Sequence, residues 1–374
     1  MARLVNADAA VLDAQEPRHD LPCTATPTKP VLGFDLKFHA GYEAAIPLRE
    51  LAGSENMLTI LFRVTPDDHR DVPVSFSQHY RVPAIEEGAN GAAHLPGDFE
   101  IGEGNYHVDW LMRDQAGRVC SHYWDLRASL PARDKEVSMA IAPGVVEGNG
   151  PESFQAEPPV QRAQGEASLN VKILINFAPQ NYRSTTLQPR DLNGLISILR
   201  SLARDPRIGR FSIVAFNLEK ERVIWRQDSA EQIDFPGLGK ALGSLQLGTI
   251  DVKRLGRKHG DTEFLEDLIR REVLGARHVD ALVFAGPKAL LDQNVPEGAL
   301  RQWGQVDYPV FYLNYTADPR KTPWHDAIGH VVKFFKGTEY TISRPRDLWF
   351  ATNEVVSRVA ESKQTKTAHA MSAR

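Results

Sequence analysis

Few residues in this chain combine a reactive side chain with the spacing that chemistry needs. The stretch WHDAIGHVV holds His325, Asp326 and His330. Two histidines bind a metal from one helix face when they stand four residues apart. These stand five apart, which turns them about 140° out of alignment. A surface or supporting role fits them better. The chain has no Gly-x-Ser-x-Gly, no His-Glu-x-x-His and no Gly-x-x-x-x-Gly-Lys-Ser/Thr, the signatures of a hydrolase elbow, a zinc helix and a phosphate loop. GLGKALGS is rich in glycine, but its spacing fits helix packing. KRLGRK (253–258), with Arg270 and Arg271, is basic. Asp251, Asp261, Glu263, Glu266 and Asp267 surround it, so it reads as a solvated face of mixed charge.

One strand end stands out. In KILINFAPQN (172–181) an apolar run closes on Asn176, and a loop with Gln180 and Asn181 follows. Ligands of α/β proteins sit beyond the carboxyl ends of their strands. These residues could hold a polar group of a partner, or they could only cap the sheet.

The elements that would position such a site fall into two regions. With 374 residues, the chain exceeds what one core supports, so two domains are expected. Composition is that of a folded protein, 42% hydrophobic and 25% charged. A net charge of −4 argues against a nucleic-acid or membrane-surface binder. No apolar run is long enough to span a membrane. The first 20 residues lack the apolar core of a signal peptide. A cytoplasmic protein is the default reading, or an extracytoplasmic one if the start has been trimmed.

Residues 1–33 carry proline and charge and read as an extended arm. Residues 34–135 hold strands rich in aromatic and β-branched residues, separated by turns such as PDDHRD and GEGN. The hairpin YHVDWLMRDQAGRVCSHYWDL turns at DQAG. It pairs Met112 with Cys120, Trp110 with His122 and Val108 with Trp124. That face is core, and His122 sits on it as a hydrogen-bonded residue. His107, Asp109, Arg113, Ser121 and Asp125 form the other face, expected to meet solvent. Five to seven such strands suggest an immunoglobulin-like β-sandwich. The two cysteines, Cys23 and Cys120, exclude a cysteine-rich zinc site. We expect separate thiols, with a disulfide as the alternative, favoured if the protein is secreted. Residues 136–168 read as a linker rich in Pro, Gly, Glu and Gln. From 169 to 362, strands alternate with helices, giving a mostly parallel, Rossmann-like sheet covered on both faces. Residues 363–374 read as a flexible tail. Trp225 in RVIWRQ falls on an antiparallel edge strand, where another chain could add.

The element order of 169–362 resembles the von Willebrand factor type A fold. The whole is similar to the VWFA-related proteins of soil bacteria such as acidobacteria, which join that fold to a β-rich N-terminal region. Many type A domains hold a divalent cation through Asp-x-Ser-x-Ser after the first strand, a later Thr and an Asp after the fourth strand. Here the first motif falls on Asn176, Ala178 and Gln180, the threonine on Thr262 and the last aspartate on Gly286. Small dications need carboxylates, so the resemblance implies a degenerate site with no metal and no cofactor. The expectation is a non-enzymatic protein that binds another protein. A hydrolase or transferase in the interdomain cleft or at the sheet's carboxyl edge is one alternative. A structural subunit of a cell-envelope assembly is another.

Overall fold

The computed structural model describes residues 6–148, 154–162, 168–180, 187, 189–243, 259–275, 278–291, 293–316 and 325–372. The chain divides into two compact units, Met1–Gly150 and Pro151–Arg374.

The first unit is built from β1 (Thr24–Leu32), β2 (Phe38–Pro47), β3 (Asn56–Pro66), β4 (Val74–Val82), β5 (Ala92–Ile101), β6 (Gly104–Arg113), β7 (Val119–Ala128) and β8 (Val146–Gly148). They form two antiparallel sheets, ordered β1-β2-β5-β8 and β4-β3-β6-β7. The inner faces meet through aromatic side chains. Tyr42 of β2 lies 5.4 Å from the Phe62 ring and 5.5 Å from Trp110, and Phe99 lies 5.7 Å from Phe62. Such pairs add to the apolar area they remove from water. The Tyr42 hydroxyl donates to Gln78 across the stack. At the start of β6 the buried Tyr106 hydroxyl donates to the Gly102 carbonyl at 2.9 Å. The β6–β7 register matches the hairpin read from the sequence, with Met112 opposite Cys120 and Trp110 opposite His122.

Three expectations for this unit need correction. The extended arm contains helix α1 (Asn6–Ala14), and β1 pairs with β2. Residues 18–21 also bond to β7, through Leu21 N to Val119 O and Ser121 N to Arg18 O. Part of the face expected to meet solvent is therefore covered: Asp109 and Ser121 are buried and His107 and Arg113 half-buried, while Asp125 is exposed as expected. Leu12 packs on Leu61, Leu111 and Val119, and Asp109 is only 1% exposed. Arg63 and Gln15 donate to the buried Asp109 carboxylate and supply its partners there. Finally, Cys23 and Cys120 are joined as a disulfide, with Cα atoms 6.1 Å apart. The bonds that draw residues 18–21 onto β7 bring Cys23 beside Cys120.

The linker is also partly docked. Val137, Ile141 and Val146 are buried, and β8 pairs with β5. In the second unit, Glu157 bonds Arg200 and Arg204, and Arg162 donates to the Ala203 and Ile208 carbonyls. The docking of this second part relies on charge and backbone acceptors. The composition, poor in large apolar residues, gives no sign of it.

The second unit carries β9 (Leu169–Asn176), α2 (Pro189–Ala203), β10 (Ile208–Asn217), β11 (Arg222–Ala230), α3 (Phe235–Gly243), α4 (Gly260–Ile269), β12 (Ala281–Gly286), α5 (Glu297–Trp303), β13 (Val310–Tyr315), α6 (Ala327–Phe334), β14 (Thr338–Ile342) and α7 (Pro345–Ser372). The sheet order is β11-β10-β9-β12-β13-β14. Each neighbouring pair is parallel except β10–β11. The central strands are almost continuously apolar, as strands buried on both faces must be. α4 runs into a single π-helical turn, Arg270–Leu274. That turn carries Glu272 to Lys172, 2.8 Å away, and to Arg226. The tail expected to be flexible continues α7 to Ser372. Lys363 bonds the Ser168 carbonyl and Asp280.

Candidate functional site

Three strands carry a buried asparagine at or next to their last residue: Asn176 ends β9, Asn217 ends β10 and Asn314 is the penultimate residue of β13. Parallel register brings Asn176 level with Phe216, and Gly286 level with Asn314. A buried amide must find partners or lose more than a hydrogen bond is worth. Asn176 Oδ1 accepts from Leu218 N at 3.1 Å. Asn217 Nδ2 donates to the Phe177 carbonyl at 2.7 Å, and its Oδ1 accepts from Lys220 N. Asn314 Nδ2 donates to Glu339. Gln180 Nε2 donates to Thr316 Oγ1 at 2.6 Å. These amides brace the strand ends against one another and against the loops that follow.

Gly286 closes the gap between β9 and β12. Its φ is +132°, a region that side chains rarely enter. A Cβ there would lie 2.8 Å from the Asn176 carbonyl oxygen and 2.9 Å from the Asn176 Cβ. A carboxylate at position 286 would force the backbone to move. Thr262, on the first turn of α4, is buried and spends its hydroxyl on the Gln293 carbonyl at 2.9 Å. Asn181 and the basic run 253–258 lie outside the described residues. Arg270 and Arg271 both pair with Asp267. Trp225 sits half-buried on β11, the edge strand, opposite Ala215. The structure therefore brings Asn176 and Gly286 together, places Gln180 on Thr316, and turns the Thr262 hydroxyl to Gln293. Asn217, Asn314 and Thr316 were missed in the sequence. The signal was there: VKILIN, SIVAFN and VFYLNY are apolar strands with an asparagine last or next to last.

Asp326 is the N-cap of α6. Its Oδ1 accepts from Ile328 N and Ala289 N. Burial pushes its pKa up to about 6, and the backbone groups of Ala289 and Gly329 offset only part of that. The Tyr312 hydroxyl beneath it donates to the Pro287 carbonyl. His330 is half-buried, and its Nε2 has no hydrogen-bond partner among the described residues.

The first unit carries two polar clusters. A depression of about 380 Å³ is lined by Gln15, Arg63, Arg70, His107, Asp109 and Asp125 among others. Its polar groups largely bond one another, as in Arg63 to Asp109 at 2.7 Å and His107 to Asp125 at 2.6 Å. Asp35, His39 and Glu100 also converge. There Lys37 already bridges Glu100 at 2.5 Å and Glu147 at 2.8 Å, so a cation is built into the cluster.

No family model matches this chain, and no curated protein matches it. Solved structures give distant likenesses. A glycosyl hydrolase family 2 member from Bacteroides cellulosilyticus DSM 14838 is 11% identical over 83% of this chain and 37% of its own, with a TM-score of 0.22. Bacteroides uniformis beta-glucuronidase is 11% identical over 83% and 38%, at 0.21. The Pseudomonas fluorescens alkylpurine DNA glycosylase AlkC, bound to DNA with an abasic site analog, is 14% identical over 33% and 34%, at 0.20. This chain thus spans 34% to 38% of the length of each. Likeness at that level carries no argument about activity.

Proposed function

We propose that the second unit is a von Willebrand factor type A-like module that has lost its metal site, paired with an immunoglobulin-like first unit, and that the protein works by binding another protein. Numbered within the second unit, the strand order is 3-2-1-4-5-6, with strand 3 antiparallel at the edge. That order supports the type A reading. The two antiparallel sheets and the Tyr106 hydroxyl bonded four residues back support the immunoglobulin-like one. Kinship with the VWFA-related bacterial proteins rests on this pairing of units.

The observation that carries the functional reading is Gly286 packed on Asn176. Where a type A metal site needs a carboxylate, the backbone leaves no room for one. The remaining groups at these strand ends are neutral amides and hydroxyls, most of them bonded within the protein, with Asn314 Oδ1 buried and without a hydrogen-bond partner among the described residues. Hard dications are held poorly by such a set. The same groups give a transferase or hydrolase no free nucleophile–base pair among the described residues. A rigid sheet end, with loops on it and Trp225 on the flanking edge, suits recognition of a protein surface.

Thermal unfolding of the full chain in EDTA, then in millimolar Mg²⁺, Mn²⁺ or Ca²⁺, tests the metal-free part. The midpoint of the second unit should not move. A saturable rise lost in Thr262→Ala would overturn it. Photo-crosslinking residues placed at Gln180 and Trp225 in producing cells test the binding part. They should trap one discrete protein adduct, and crosslinking only to water or to scattered proteins counts against a specific partner.

A further inference from the structure

The disulfide does not stand alone. Cys120 and His122 are two residues apart on β7, and so lie on one face of the strand. His122 Nε2 is 3.5 Å from Cys120 Sγ. The His122 ring also hydrogen-bonds the backbone of Cys23, which fixes its orientation. The two sulfurs and one ring nitrogen lie within 4.8 Å of one another. His19, directly opposite Cys120 in an antiparallel bridge, has its ring centre 6.1 Å from that of His122. It is exposed and able to turn.

We propose that this cluster, once reduced, is a binding site for a single zinc ion, held by Cys23, Cys120 and His122, with His19 or water in the fourth position. Disulfide and metal are then alternative occupants of one place.

The chemistry fits the donors. Two thiolates and one or two imidazoles are the ligand set of tetrahedral zinc. A zinc-binding histidine has its ring fixed by a hydrogen bond to a backbone or carboxylate group, as the backbone of Cys23 does here. The sulfurs must part to about 3.7 Å, the spacing two ~2.3 Å zinc–sulfur bonds require. Rotation of the half-buried Cys23 side chain about its Cα–Cβ bond provides such a movement. Cys120 is held in the core.

The reaction balances with a dithiol reductant. Its thiolate attacks one sulfur of the Cys23–Cys120 bond, and its second thiol then closes the reductant's own disulfide. Two electrons pass to the protein, leaving two thiols. Zinc then replaces the two thiol protons, which go to solvent, and His122 joins as the neutral ring. The redox poise of the compartment selects the occupant. An oxidising space keeps the disulfide, and a reducing one opens the site to metal. The proposal is independent of the type A reading, because every ligand lies in the first unit.

Competition between the full chain and a chromophoric zinc chelator tests it, with the chain either oxidised or reduced by a phosphine. The reduced chain should take one equivalent of zinc, and the oxidised chain none. His122→Ala should weaken binding by about 10-fold or more, and the double change Cys23→Ser, Cys120→Ser should abolish it. Cobalt(II) should give the visible bands of a tetrahedral thiolate site in the reduced wild type. No uptake by the reduced chain overturns the proposal. So does zinc affinity in reduced His122→Ala within twofold of wild type, since that is two loose thiols chelating in an opened chain. Reduced His19→Ala should bind zinc with water as the fourth ligand. If it binds none at all, the three-ligand assignment is wrong.

Discussion

Placing a side chain at Gly286 should destabilise the second unit, and an aspartate there should not recover a metal. The Cβ of Gly286→Ala must enter a φ of +132° and come within 2.8 Å of the Asn176 carbonyl. The backbone strain costs about 1–3 kcal/mol. Overpacking against a strand that cannot retreat adds about 1–3 kcal/mol. Asn176 is fixed from the other side by its bond to Leu218 N, so relief by moving it disrupts a second contact. The loss should therefore be about 2–6 kcal/mol. For a unit of this size, each kcal/mol lowers the melting point by roughly 2–4 °C. A fall of roughly 5–20 °C in the transition of the second unit, read by differential scanning calorimetry, is the expected result. Gly286→Asp should fall at least as far, and millimolar Mn²⁺ should not restore it. A midpoint within 2 °C of wild type (about the effect of 1 kcal/mol) would refute the reasoning. So would Gly286→Asp regaining stability as Mn²⁺ is added, because it would mean the strand ends can open.

Cys120→Ser should destabilise the first unit by about 3–5 kcal/mol, because the disulfide closes a span of 97 residues; urea unfolding of oxidised wild type and variant measures this. Tyr106→Phe removes the buried bond from the tyrosine hydroxyl to the Gly102 carbonyl, so the same assay should show a loss of about 1–2 kcal/mol. Asp326 has a folded pKa of about 6 against an unfolded value near 3.8, so the folded protein binds its proton more tightly and the contribution to stability falls as pH rises from about 4 to 6. Asp326→Asn keeps the oxygen that caps α6. It should melt higher than wild type at pH 7.5, with the difference gone by pH 4.

The hairpin β6–β7 was legible because its alternation is unbroken and its turn is short. Every partner read across it is the partner observed. The other face was misread for a physical reason. Asp109 and Ser121 look like surface residues, and only their pairing with Arg63, Gln15 and the chain before Cys23 makes their burial possible. Helix α1 offers mainly Val11 and Leu12 to the sheet, too little for an apolar stripe to show. The end of α7 is polar on all sides, and such a helix cannot be told from a frayed tail by pattern. At the candidate site, Asn176 and Gln180 were found from one strand end. Asn217 and Asn314 show as polar residues near the ends of two other apolar strands, but only the sheet order β10-β9-β12-β13 gathers them at the same edge as Asn176.

The edges of the first unit differ in how readily they would accept a foreign strand. β1 carries Pro27 and Pro30, which lack backbone donors, and its register slips between Thr28 and Val31. β8 is only three residues long. β7 is shielded near Val119–Ser121 by residues 18–21. β4 keeps nine regular residues, Val74–Val82, paired on one side to β3. Three borders are blunted against templated pairing, so the hazard of edge-to-edge aggregation in this unit concentrates on β4.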